Sequence, residues 1–270
     1  MYYLYGIIIG LVVVACLGLV RHRSSGTKKK SFSASQTGYY DIHTHILYGA
    51  DHGAADINMS MDMLKKEVEE GISTVILTPH YFPGKTKKEL LVQFYNELKQ
   101  EVEKAKLPVK IYLGNEFLYN TQAMEDLIEG KVCTLCETSY VLTEFHSGDS
   151  YEYIRNGLSE MLTVGYRPVL AHVERYAALR QKEKVRELIQ MGVFIQVNSN
   201  SYFKKDTRNY VLNLTRDDMV HFLASDCHNM TDRPPETEKA RRLLQSELTQ
   251  EQYETLCKKN PAGLLLNQYI

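Results

Sequence analysis

The sequence predicts an α/β protein: a parallel sheet of seven strands curled into a barrel, preceded by one N-terminal transmembrane helix. Three observations carry this. Short apolar, β-branched runs alternate with longer amphipathic segments over residues 39–270. The polar residues that end those runs recur at intervals of about one strand-plus-helix unit. The first twenty residues hold an uncharged stretch long enough to cross a bilayer.

The apolar stretch comes first. Tyr2 to Val20 is a run of 19 residues without a charge, and at ~1.5 Å per residue it reaches roughly 28 Å, close to the thickness of a bilayer core. Arg21 and Arg23 follow the run instead of preceding it, so it reads as an uncleaved anchor rather than a signal peptide. With Lys28, Lys29 and Lys30 this basic flank predicts a single-pass protein of the cell membrane, its remaining chain cytoplasmic. Residues 1–23 are the anchor with its flank. Residues 24–38, rich in Ser, Thr, Lys and Gly around a single Phe32, cannot bury enough surface to fold and form a flexible linker. The folded domain spans 39–270.

That domain has ordinary globular composition: 44% apolar and 24% charged residues in the whole chain support one large core. A net charge of −1 carries no electrostatic footprint for nucleic acid. Five cysteines, an odd number without framework spacing, predict reduced thiols. Cys133 and Cys136 form a lone C-x-x-C without a second pair and read as packing residues.

The strand-like runs are YYDIH, STVILTPH, KIYLGNE, YVLTE, RPVLAH, GVFIQVN and VHFLASDCH. Helical patterns lie between them, including Met59 to Glu70, Thr86 to Ala105 with a Thr86–Glu89 capping box, Ser150 to Val164 and Lys184 to Met191. Strands alternating with helices argue a parallel sheet, and seven or eight such units commonly close into a barrel. The run-ending residues His43, His80, Glu116, Glu144, His172, Asn198 and Asp226 are 37, 36, 28, 28, 26 and 28 positions apart.

Active sites of such barrels gather at the carboxyl ends of the strands. Six of those seven ends supply a metal-ligand side chain: His43 with His45, His80, Glu116, Glu144, His172, and Asp226 with His228; only Asn198 does not. An H-x-H pair alone reads equally well as two surface histidines. On extended backbone, however, residues two apart project to one side, which offers two nitrogens to one ion. With His52 from the first loop the set reaches six imidazoles and three carboxylates, enough for two or three divalent cations.

The motifs HTH, GADHGAAD, TPHY, GNE, LTEF, AHVER and SDCHNMTDR, in order from Tyr40 to the C-terminus, resemble the PHP (polymerase and histidinol phosphatase) superfamily. They are most similar to its bacterial metal-dependent protein tyrosine phosphatases of capsular and exopolysaccharide synthesis. The resemblance implies a distorted (βα)7, TIM-like barrel with a trinuclear site. His43, His45, Glu116 and Asp226 would hold one metal, a bridging Glu116 with Glu144 and His172 a second, and His52, His80 and His228 a third. Arg175 in HVER and Arg233 in MTDR match the family's phosphate-binding arginines. Two departures stand out. His52 replaces the second of two successive acidic residues, which opens the third site to zinc or iron as well as manganese. HVER replaces the family's Pro-containing HPER.

Chemistry follows from these parts. A water between two divalent cations loses its proton near neutral pH, and the same ions neutralise phosphoryl charge, so hydrolysis needs no covalent intermediate. Arg175 and Arg233 add permanently charged donors, although Arg233 beside Asp232 also fits a surface ion pair. Tyr48, Tyr81 and Phe82 on the first two strand-to-helix loops are candidates to stack on a phenyl ring. The implied activity is a protein-tyrosine phosphatase acting on a tyrosine-phosphorylated partner, a membrane-associated tyrosine kinase, since a protein substrate at the membrane explains the anchor. A small-molecule phosphatase of the histidinol-phosphate type would share the ligands. One decoy remains, because Cys227 to Arg233 has the C-x5-R spacing of cysteine-dependent phosphatases. The loop has no glycine, and Cys227 lies between two ligands of opposite projection, so the thiol should point into the packing.

Overall fold

The computed structural model of the chain describes residues 38–270. The anchor at 1–23, and the linker up to its last residue, lie outside the described residues. Among the described residues no helix is long and apolar enough to cross a membrane.

Nine strand segments alternate with helices. They are β1 (Tyr39–Thr44), α1 (Ile57–Glu69), β2 (Ile72–Leu77), β3 (His80–Tyr81), α2 (Lys88–Lys104), β4 (Lys110–Leu113), β5 (Glu116–Leu118), α3 (Thr121–Ile128), β6 (Tyr140–Glu144), α4 (Tyr151–Thr163), β7 (Arg167–Leu170), α5 (Lys182–Met191), β8 (Phe194–Asn198), α6 (Arg208–Arg216), β9 (Phe222–Ala224) and α7 (Glu238–Glu247). Every pairing is parallel, in the orders β1-β2-β4 and β3-β5-β6-β7-β8-β9. Two of the predicted strands are each broken in the middle. Thr78 and Pro79 separate β2 from β3, and Gly114 and Asn115 separate β4 from β5. Pro79 has no N–H to give a ladder. Instead Thr78 N donates to Thr44 O at 2.8 Å, and Gly114 N to Leu77 O at 2.8 Å. A bridge between Thr44 and Cys227 brings β1 against the segment after β9. There His45 N donates to Cys227 O at 2.8 Å, and Asp226 N to His43 O at 2.9 Å. The result is a curled parallel sheet of TIM-like form.

Apolar side chains fill both faces of the curl. Ile42, Ile76, Leu142, Val169, Phe194 and Phe222 are buried together inside it, and the helices cover its outside. On α1 the buried positions Ser60, Met63, Leu64 and Glu67 follow the 3.6-residue stripe that the sequence predicted. Ser150 caps α4, accepting from Tyr153 N. The capping box proposed for α2 does not form. The helix begins two residues later, and the Thr86 hydroxyl accepts from Phe82 N at 2.9 Å, closing the loop before the helix. The side chain found a nearer donor.

Candidate metal centre

All nine predicted ligands lie at the carboxyl end of the curled sheet or in the loops just beyond it. His43 sits on β1 and His45 one residue past its end; His80 opens β3, Glu116 opens β5, and Glu144 ends β6. His172 and Asp226 follow β7 and β9 on left-handed backbone, with φ of 35° and 55°. Non-glycine residues rarely adopt that conformation, and strain held at a strand end commonly marks a function.

Among the described residues, three groups of donors each bring one atom per residue within 4.8 Å of the others: His43, His45, Glu116 and Asp226; His80, Glu116 and Glu144; and His45, His80 and His228. The first is the set expected for one ion. The partition of the rest differs from the expected one. His80 joins Glu144, where His172 was expected, and His45 stands beside His80 and His228, where His52 was expected. His172 Nε2 still lies 2.8 Å from Glu116 Oε1 and 3.7 Å from Glu144 Oε2. His52 is exposed, its ring stacked on His80 with centroids 5.0 Å apart.

The geometry fits cations. Glu116 Oε2 is 3.2 Å from His43 Nε2, 3.1 Å from His45 Nε2 and 3.2 Å from His80 Nδ1, so nitrogens of three histidines converge on one buried oxygen. Asp226 Oδ1, 3.4 Å from His43 Nε2 and 3.5 Å from His45 Nε2, is buried and makes no hydrogen bond. An orphaned carboxylate oxygen among imidazole nitrogens is the donor set of a divalent site. Electrostatics agree. Burial would raise the Glu116 and Asp226 carboxyls, but His43 first, with His172 and His45 at Glu116 and His45 and Arg175 at Asp226, holds both well below the usual range. Burial would depress His45 and His172. Asp226, Asp51 and Glu116 lift the first well above the imidazole range, while Glu116 and Glu144 lift the second to about 9. His228, by contrast, is pushed down to about 3 by burial and by neighbouring His45.

Sequence reasoning missed Asp51, treating it only as half of a departure. Its buried carboxylate accepts from His45 Nδ1 at 2.6 Å and from the backbone N of His80 at 2.9 Å and Gly53 at 2.8 Å. It thereby turns His45 Nε2 toward Glu116. Its position six residues after a ligand in an acid-bearing loop was the available signal. The arginines are at the site: the Arg175 guanidinium pairs with Asp226 Oδ2, and Arg233 reaches the same oxygen at 2.6 Å and donates to His228 Nε2 at 2.9 Å. Arg233 is therefore no surface pair with Asp232. Of the three loop aromatics, Tyr81 is buried with its hydroxyl on Asp126. Tyr48 packs on Phe94 and donates to Glu97. Only Phe82 is well exposed, its ring 5.6 Å from His80. Cys227 is fully buried, its thiol turned to Glu67 Oε1 at 3.7 Å and pushed well up by burial and by Glu67. The decoy is a packing residue.

A TIM-like curled sheet that carries groups able to hold metal at the carboxyl ends of its strands is the class this fold and site define. Residues 39–266 match the family described as capsular polysaccharide synthesis, CpsB/CapC. The chain belongs to that family. Tyrosine-protein phosphatase CpsB of Streptococcus agalactiae is 32% identical over 245 residues, 85% of this chain and 99% of the relative. Tyrosine-protein phosphatase YwqE of Bacillus subtilis is 31% identical over 236 residues, 85% of this chain and 92% of the relative. Among solved structures, those of YwqE from Bacillus subtilis and CpsB from Streptococcus pneumoniae, described as metal-dependent tyrosine phosphatases, match with a TM-score of 0.79 and 30% identity. The match covers 86% of this chain and 96% of the other.

Proposed function

We propose that this chain is a metal-dependent protein-tyrosine phosphatase of capsular or exopolysaccharide synthesis. The observation that carries the reading is the buried group His43, His45, Glu116 and Asp226 in a chain whose relatives are named tyrosine phosphatases. With Glu144, His80, His172, His228 and His52 around it, this group offers places for two or three divalent cations, manganese first and iron or zinc as substitutes. When bound, such ions supply a nucleophilic water at neutral pH and neutralise phosphoryl charge.

The chain's own residues supply the rest. Arg175 and Arg233, 42% and 33% exposed at the side chain, present guanidinium faces to solvent beside the donors, where they bind the remaining phosphoryl oxygens. Phe82 offers an exposed aromatic face for the tyrosyl ring. We take the sheet as the distorted seven-unit barrel, in support of which broken strands β2/β3 and β4/β5 each count as one. Residues 1–23 anchor it in the cell membrane, 24–38 tether it, and 39–270 work in the cytoplasm on a membrane-associated tyrosine kinase. The uncharged N-terminal run supports the anchor.

Removing metal with a chelator should abolish turnover of a phosphotyrosine peptide, and Mn, Fe, Co or Zn should restore it. Deleting residues 1–38 should spare turnover of a soluble peptide and lower dephosphorylation of membrane-bound kinase in cells. A large preference in kcat/KM for histidinol phosphate would replace this reading with a small-molecule phosphatase, and full turnover by metal-free enzyme would end it.

A further inference from the structure

β8 brings no metal ligand of its own, yet its side chains reach three of them. Gln196 and Asn198 are both buried, two residues apart, and so project to the same side of the strand. Gln196 Oε1 accepts from the backbone N of His172 at 2.7 Å and lies 3.2 Å from His43 Nδ1. Gln196 Nε2 donates to Asn198 Oδ1 at 2.8 Å, and Asn198 Nδ2 donates to Asp226 Oδ2 at 2.8 Å.

The direction of this chain is fixed at both ends. A backbone N–H can only donate, so the Gln196 atom facing His172 is the oxygen. A carboxylate oxygen that takes both the Arg175 and Arg233 guanidinium groups is an acceptor, so the Asn198 atom facing it is the nitrogen. The amide–amide bond between them then has one possible sense, which is the one observed. Gln196 Oε1 has no proton to give, so the His43 nitrogen facing it must carry one. The nitrogen left to bind a cation is Nε2, the atom 3.2 Å from Glu116 and 3.4 Å from Asp226. The far end acts likewise on Asp226. Its Oδ2 is taken by Asn198 and the two arginines, and Oδ1 is left without a hydrogen bond in the donor group.

We propose that Gln196 and Asn198 are a positioning relay that sets the His43 tautomer and the Asp226 rotamer, so that both aim a free donor atom at one cation. The relay also holds His172, because the Gln196 carbonyl grips the amide of the residue with φ 35°. Partners of this kind around metal ligands are worth about 10–100-fold in metal affinity. The relay rests on the metal-site reading proposed for the chain, and zinc binding by the unaltered chain tests that reading separately.

The experiment uses the full chain loaded with zinc, which is diamagnetic. Histidine-selective nitrogen-15 NMR should show a slowly exchanging proton on Nδ1 of His43, and competition with a chromophoric chelator gives the zinc Kd. Gln196→Leu should lose the protected proton and raise Kd about 10–100-fold. Gln196→Glu retains acceptors for His43 and His172 but loses the amide donor to Asn198, so the protected proton should return while Kd stays raised. Asn198→Asp sets a second carboxylate against Asp226 and should raise Kd while leaving the His43 proton in place. Should Gln196→Leu fail to fold, Gln196→Glu and Asn198→Asp decide, and a Kd within twofold of the unaltered chain in both overturns the relay. A folded Gln196→Leu with the His43 proton still protected and Kd within twofold of the unaltered chain overturns it as well. If the unaltered chain binds no zinc, the metal reading itself fails.

Discussion

Glu116 is the only carboxylate shared by two of the three donor groups, so Glu116→Gln, which keeps the shape and removes the charge, tests the centre most directly. A ligand present at about 100 times its Kd stabilises the folded state by about 2.7 kcal/mol, and for a domain of this size each kcal/mol moves Tm by about 2–4 °C. Manganese at that level should therefore raise the Tm of the unaltered chain by roughly 5–11 °C. Loss of a supporting residue alone costs up to about 100-fold in affinity, and a carboxylate lying among four imidazole nitrogens matters at least as much. At the same manganese concentration the variant would keep RT ln 2, about 0.4 kcal/mol, or roughly 1–2 °C. Differential scanning fluorimetry across a manganese titration reads the shift, with elemental analysis for metal content and a phosphotyrosine peptide for turnover. Glu116→Gln with full metal content, the full thermal shift and an unchanged rate would refute the placing of Glu116 at the heart of the site.

Cys227→Ser should keep most of the peptide turnover and iodoacetamide should inhibit poorly, because the thiol is buried and turned toward Glu67; a folded, metal-loaded but inactive Cys227→Ser would return the cysteine mechanism. Gly53→Ala should lower metal content and rate together, since an added Cβ would meet His45 O at 2.1 Å and push the Asp51 loop off the ligand strand. Equal metal content in the two proteins would show that the loop gives way freely. Burial pulls His221 down from 6.5 to about 4, its Nδ1 accepting from Ile195 N. A depressed folded value means that protonation favours unfolding, so the contribution is present above about 6.5 and fades as pH falls toward 4. Urea midpoints should therefore drop less between pH 7 and pH 4 in His221→Gln than in the unaltered chain; parallel curves would contradict this.

The ligand-bearing strand ends were legible because the period of the pattern and the chemistry of the residues coincided: β6 was read to the residue, and His43, Glu116 and Asp226 meet as expected. Two kinds of feature were not legible. The first is backbone detail such as the breaks at Pro79 and Asn115, where hydrogen bonds leave the ladder and an apolar run looks unbroken. The second is the partner each polar side chain chooses. Asn198 looks idle in the sequence because it is no ligand, and Thr86 looks like a helix cap because Phe82 N is invisible there. His45 could not be placed beside His80 and His228 without knowing that Asp51 turns its ring. Tyr81 reads as a loop aromatic until Asp126, 45 positions on, takes its hydroxyl.

The contact between β1 and the segment after β9 sets when the site can exist at all. Asp41 accepts from Ser225 N across 184 positions of sequence, and His43 and His45 stand on one lip of that seam with Asp226 and His228 on the other. Closing so long a loop is among the costlier and later events of folding, since its entropy is spent before its contacts form. An ion held by both lips would act as a reversible staple between β1 and the segment after β9, with no counterpart in the unfolded state. A nascent chain still lacking its last strand has one lip only. Competence for chemistry thus arrives together with closure of that seam, and a molecule whose seam has opened would lose the cation and the activity in the same event.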